Sequence, residues 1–189
     1  MLKLVVAVGG ASGAPYARRL LDQLAAQPAD VVQTHVVFSK AAHQVWATEV
    51  GTPTADLPFK KWDARDFNAP FASGSAGFGA MVVIPCSMAG LGRIAHGVSE
   101  DLIGRAADVM LKERRKLVLV PRDTPLSLIH LENMAAVTRA GALVLPAMPS
   151  FYGRPRTVEE VLDTVVGRVL DHLGLPIRLG PRWGEEPQS

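Results

Sequence analysis

Five short apolar runs, at residues 2–8, 31–38, 80–84, 117–120 and 142–145, are each followed by a segment of helical character. The first run is Val-rich, too short for a helix and bounded by Gly9-Gly10, so it reads as a buried strand. Residues 12–27 then place Ala17, Leu20, Leu21 and Leu24 on one helical face. Helices are likewise expected over residues 40–50, 88–96, 102–114, 128–139 and 158–173. Strands that are apolar on both faces and alternate with helices need cover on both sides. The expected fold is therefore α/β, a three-layer Rossmann-like (flavodoxin-like) sandwich with a central parallel sheet. A single domain over residues 1–189, with an extended tail from about residue 176, accommodates the length.

Two stretches depart from the alternation. Residues 51–79 hold Pro53, Pro58, Pro70 and Ser73-Gly74-Ser75, and read as a long loop, which in a compact domain is usually functional or disordered. The tail carries Pro181, Trp183 and Pro187, and its Trp is expected to pack on a neighbouring surface such as another subunit.

Composition narrows the function classes. Hydrophobic residues make up 48% of the chain and charged ones 20%, enough for a sizeable core. Twenty Lys and Arg against eighteen Asp and Glu are too balanced for a nucleic-acid binder. One cysteine, Cys86, leaves no intrachain disulfide and no Cys-based zinc site. No apolar run reaches the length of a membrane span, and residues 1–8 lack the charged region and cleavage site of a signal peptide. The five histidines show no metal-ligand spacing, so no metal is expected. The expectation is a cytoplasmic protein.

In an open α/β sheet, ligands bind outside the carboxyl ends of the strands. Here those ends are Gly9 to Gly13, Ser39-Lys40, Pro85 to Gly90, Pro121 to Pro125 and Pro146 to Pro149. Small residues, hydroxyls and an Arg at helix starts suit a phosphate, because backbone N–H groups and the helix dipole point at it. Each element also has a plain reading. Ser12, Ser39 and Ser87 serve equally as helix caps. Cys86 suits a small packing residue better than a nucleophile. Glu49 would be a solvated carboxylate in most proteins, and the run from Lys112 to Lys116 a charged helix C-terminus. The residues alone reach a nucleotide- or phosphate-binding α/β protein, without its reaction.

The ordered set reaches further. Gly10-Ala11-Ser12-Gly13-Ala14, Ser39-Lys40-Ala41-Ala42, Ala47-Thr48-Glu49, Ala72-Ser73-Gly74-Ser75 and Pro85-Cys86-Ser87 are followed by Arg105 to Val109. Leu111 to Arg115, Leu117 to Arg122, Ile129 to Met134, Phe151-Tyr152 and Pro181-Arg182-Trp183-Gly184 complete it. From Leu2 to about Trp183 the chain closely resembles the UbiX family of flavin prenyltransferases, many formerly labelled aromatic-acid decarboxylases.

The resemblance implies an enzyme that joins the dimethylallyl group of dimethylallyl phosphate to N5 and C6 of reduced FMN, without a metal. The product, prenylated FMN, would serve a UbiD-type decarboxylase. Carried over by position, Gly10, Ala11, Ser12, Ser39, Ser87, Met88, Ala89, Gly90 and Arg122 would contact FMN. Arg105, Lys112, Asp123, Tyr152 and Arg168 would form the prenyl phosphate site. Glu49, Ser12 and Arg122 would be catalytic, Glu49 managing a proton near flavin N5. Met88, Phe151 or Trp183 would line an apolar pocket for the allylic chain.

Two residues depart from the family pattern: Asp123 stands where Glu is common, and Gly90 where many members have Thr. The resemblance also implies a homododecamer with sites at subunit junctions, and leaves both the monophosphate and the diphosphate as donors. Two other functions fit parts of the set, an FMN-dependent cysteine decarboxylase and a non-catalytic FMN carrier. The Lys112, Tyr152 and Arg168 group has no purpose in the first and argues against the second.

Overall fold

The computed structural model describes residues 1–184, so the end of the expected tail, with Pro187, lies outside the described residues. Six strands form one sheet in the order β3-β2-β1-β4-β5-β6, every neighbouring pair parallel. They are β1 (Leu2–Val8), β2 (Val32–Phe38), β3 (Lys60–Trp62), β4 (Ala80–Cys86), β5 (Lys116–Pro121) and β6 (Leu143–Val144). This is the Rossmann strand order, with its reversal between β1 and β4. The central strands read as continuous apolar runs because both their faces are covered. Val5 and Ala7 of β1 face one core and Leu4, Val6 and Val8 the other.

Six helices supply the cover: α1 (Ala14–Ala25), α2 (Lys40–Glu49), α3 (Met88–Ala95), α4 (Leu102–Lys112), α5 (Leu128–Arg139) and α6 (Val158–Leu173). On one side, Leu20, Leu21 and Leu24 of α1, Trp46 of α2 and Val165, Val166, Val169 and Leu170 of α6 pack on the sheet. On the other, Leu91 and Ile94 of α3, Leu102, Ile103, Ala106, Ala107 and Met110 of α4 and Val137 of α5 do so. Thr157 and Glu160 form a capping box that starts α6, and Gly174 in the left-handed region ends it. Beyond it, Leu175 and Ile177 remain buried, so the first part of the tail is anchored to the core rather than free.

The expected loop over residues 51–79 contains β3 and three short 3-10 turns. Lys60-Lys61-Trp62 escapes a hydrophobicity reading because it is an edge strand, where lysines are favoured against further pairing. Phe71 and Phe78 from the same segment are core residues. They enclose His35 of β2, only 6% exposed, whose Nδ1 accepts from Trp62 Nε1 at 3.1 Å.

Burial, then the positive charges of Lys60 and Lys3, hold the His35 pKa below its ordinary 6.5. The folded state therefore keeps His35 neutral where the unfolded chain takes up a proton. Above the unfolded pKa the effect vanishes; stability is lost as pH falls through it and the loss saturates below the folded pKa. We expect Tm to fall between about pH 7 and about pH 5, and to fall less in His35→Gln. An equal fall in both proteins would remove His35 as the cause.

Candidate functional site

The carboxyl ends of β1, β2 and β4 meet at the reversal of strand order, where Gly9, Gly10, Ser39, Cys86 and Ser87 line one groove. Glycine at the end of β1 is a packing requirement. A Cβ on Gly9 would sit 2.4 Å from the Pro85 carbonyl oxygen, and one on Gly10 would sit 2.5 Å from Ala41 Cβ. Ser39 and Ser87 are indeed N-caps: their hydroxyls accept from Ala42 N–H and Gly90 N–H, each at 3.1 Å. Capping uses each hydroxyl as acceptor and leaves its O–H to donate into the groove. The plain and the functional readings of these serines are thus compatible.

Ser12 is not a cap. The N-cap of α1 is Gly13, with φ 117 and no side chain to satisfy the first N–H groups. Glu49, the last residue of α2, does so instead, Oε2 accepting from Gly13 and Ala14 N–H at 2.8 Å each. Burial opposes its charge, yet the Ser12 side chain, the two backbone N–H groups and the Arg122 guanidinium together hold its pKa below the ordinary 4.5. Arg122 Nε in turn donates to the Ser12 carbonyl at 2.8 Å. Ser12, Glu49 and Arg122, far apart in sequence, form one hydrogen-bonded cluster beside the groove. The ionised carboxylate at a helix N-terminus also complements the dipole.

Cys86 is fully buried, and burial pushes its thiol up to about 12, so it stays protonated and unreactive. Met88 begins α3 with its side chain in the core, while Ala89 is exposed at the same turn. Gly90 sits close to its own cap: a Cβ there would lie 3.3 Å from Ser87 Oγ. Asp123 is exposed, and its Oδ1 accepts from Thr124 N–H at 2.8 Å, within its own loop.

The remaining substrate candidates are not brought together by one chain. Tyr152 and Arg168 line a cleft of about 1270 Å³ between the loop after β6, α6 and the tail. There Asp171 accepts from Arg168 at 2.9 Å and from Arg182 at 2.7 Å, tying the tail to α6. Lys112 ends α4, across the sheet from α6, and donates to Glu113 at 2.8 Å. Arg105, also on α4, holds the Ala72 carbonyl at 3.0 Å and Asp108 at 3.1 Å.

The apolar pocket expected from Met88, Phe151 and Trp183 does not form within the described chain. Met88 is buried, whereas Phe151 and Trp183 are 67% and 81% exposed. The Trp183 ring instead meets Tyr152 edge-on at 5.4 Å. Residues separated by a sheet cannot converge without a second copy.

The groove has lining residues that motif reading passed over: Arg93 and Ile94 of α3, then Asp101, Ile103 and Gly104 at the start of α4. The available signal was spacing, since Arg93 lies three residues after Gly90 on the same helix face. Small residues admitting a flat ring, two donor hydroxyls and a guanidinium suit a flavin nucleotide. Among the described residues, no group of three or more His, Cys, Asp or Glu is placed to hold a metal, and no helix is long and apolar enough to cross a membrane.

The family model described as Flavoprotein matches residues 1–170. A flavin prenyltransferase UbiX of Alkalihalophilus pseudofirmus is 45% identical, over 96% of this chain and 96% of its own. A solved UbiX-like decarboxylase from Escherichia coli O157:H7, described as dodecameric and FMN-dependent, superposes with TM-score 0.92 at 45% identity, over 97% of this chain and 100% of its own. AnUbiX (PadA1), solved in complex with FMN and dimethylallyl pyrophosphate, superposes with TM-score 0.93 at 42% identity, over 98% and 99% of the two chains.

Proposed function

The chain belongs to the Flavoprotein family and, within it, to the UbiX-type flavin prenyltransferases, and from that premise we propose that it transfers a dimethylallyl group from dimethylallyl phosphate to reduced FMN. The observation that carries this reading is the convergence of Ser12, Glu49 and Arg122 beside a strand-end groove. Reduced FMN supplies N5 and C6 as the positions that take the dimethylallyl group. Gly10, Ala11, Ser12, Ser39, Arg122 and the turn from Ser87 through Met88 and Ala89 to Gly90 hold it, by backbone N–H groups, hydroxyls and one guanidinium.

Arg122 lies between flavin and substrate, while Lys112, Arg105, Arg168 and Tyr152 neutralise and orient the phosphate. An allylic phosphate departs only if its developing charge is met, and a preorganised cationic cluster does this without a metal. Asp123 moderates that positive charge beside Arg122. Glu49 is held ionised by its partners, so at neutral pH it accepts a proton released as a new bond forms.

The assembly is a homo-oligomer, a dodecamer, whose junctions bring Lys112 and Arg105 of one copy to the Arg168 face of another. Exposed Leu128, Ile129 and Leu131 on α5 and Met148 and Phe151 beyond β6 support it, as apolar surface for neighbouring copies. The chain acts as a single domain, in the cytoplasm, and a UbiD-type decarboxylase receives its product.

The test is anaerobic. Purified protein mixed with reduced FMN and dimethylallyl phosphate is expected to yield extracted flavin heavier by one dimethylallyl-derived C5 unit. Unmodified flavin that nevertheless co-purifies would favour a carrier or a cysteine decarboxylase, and no flavin binding at all would overturn the reading.

A further inference from the structure

Arg93 is the one guanidinium lining the strand-end groove itself. Its surroundings there are glycines, serines, Val83, Cys86, Ile94 and Ile103, and Asp101 is the other charged residue of the lining. Asp101 holds it loosely: the closest approach is 4.0 Å, beyond hydrogen-bonding distance. That carboxylate is already engaged, accepting from Gly104 N–H at 2.8 Å to start α4. No hydrogen bond from the Arg93 side chain to another residue is formed among the described residues, so its donors are free of protein acceptors beside the groove. By contrast Arg105 and Arg122 each donate to a backbone carbonyl, at 3.0 and 2.8 Å.

A guanidinium with uncommitted donors, kept beside a groove by a countercharge too distant to satisfy it, suits an anionic ligand. Arg93 stands one helical turn beyond Gly90, on the same face of α3, and both line the groove. We propose that Arg93 is a flavin-binding residue of this chain, pairing with an anionic oxygen of the bound FMN, with Asp101 as a distant, competing countercharge. Two parts of that ligand carry such an oxygen: the 5′-phosphate and the reduced, anionic ring system. The proposal rests on the groove being the FMN site.

The experiment compares wild type, Arg93→Met, Arg93→Lys and Asp101→Asn as full-length protein. Dissociation constants are measured for FMN and for riboflavin, each oxidised and reduced, together with the midpoint potential of bound FMN. Arg93 is half-exposed, so Arg93→Met is expected to fold, which Tm verifies. The expected result is a roughly tenfold loss of FMN affinity in Arg93→Met, the scale of one charge-assisted hydrogen bond, with partial recovery in Arg93→Lys.

If the phosphate is the partner, the loss appears for oxidised and reduced FMN alike and riboflavin binding is unchanged. If the reduced ring is the partner, only the reduced forms weaken, and the potential falls by about 30 mV for a tenfold change in a two-electron couple. Asp101→Asn keeps a capping oxygen and removes the countercharge, so FMN affinity is expected to be maintained or raised. A merely structural Arg93–Asp101 pair would lower Tm in both variants and leave every flavin constant at its wild-type value; that result overturns the proposal. Failure of the wild type to bind FMN overturns the underlying site reading instead, and the two failures are told apart by the wild-type titration alone.

Discussion

Glu49→Gln is expected to bind FMN and dimethylallyl phosphate as the wild type does, yet to turn over about a hundred- to ten-thousandfold more slowly. The substitution is nearly isosteric, and a Gln carbonyl oxygen can still accept from Gly13 and Ala14 N–H. What disappears is the negative charge that Ser12, the α1 N-terminus and Arg122 jointly stabilise. The cost in stability is that of one helix-dipole interaction, about 0.3–1 kcal/mol, too small to unfold the protein. Single-turnover measurement of flavin modification, beside Tm and FMN titration, separates the effects. Unchanged turnover would take Glu49 out of the mechanism, and loss of FMN binding would make it a structural cap first.

Arg168→Ala should weaken dimethylallyl phosphate binding by roughly ten- to a hundredfold, the range for hydrogen bonds to a charged group of about 1.5–3 kcal/mol. Arg168 lies on α6 in the cleft with Tyr152, not in the groove lined by Gly10, Ser39 and Ser87. FMN binding is therefore expected to stay at the wild-type level. Asp171 retains Arg182 as a partner, so the tail stays tied to α6. Titration of the prenyl phosphate into FMN-loaded protein reads the effect. If FMN is lost while the phosphate still binds, the assignment of Arg168 is wrong.

Much of the sheet could be read directly. The apolar runs of β1, β2, β4 and β5 are continuous because both faces are buried, and that pattern needs no partner to be recognised. Strand β3 could not be, since three residues at an edge carry two lysines and bury little. The boundaries of α1 shifted for a similar local reason: with Gly13 at the N-cap, the helix starts at Ala14 and its cap comes from a residue 35 positions away.

The candidate site divides in the same way. Ser39 and Ser87 were legible as strand-end hydroxyls, because a strand followed by a capped helix puts them at the carboxyl edge by chain geometry alone. Arg93 was not, since an Arg in the last turn of a short helix looks like solvated surface until α4 packs beside it. Local sequence determined the α/β alternation, the parallel sheet and the line of small and hydroxyl residues along one edge. These follow from periodicity and from the termini of individual elements.

Tertiary structure alone decided three things: that Glu49 caps a helix distant in sequence, that Arg122 reaches Ser12, and that Lys112 and Arg168 stand on opposite faces of the sheet. Each is a relation between residues whose separation is set by how whole layers stack, and no local pattern encodes that distance.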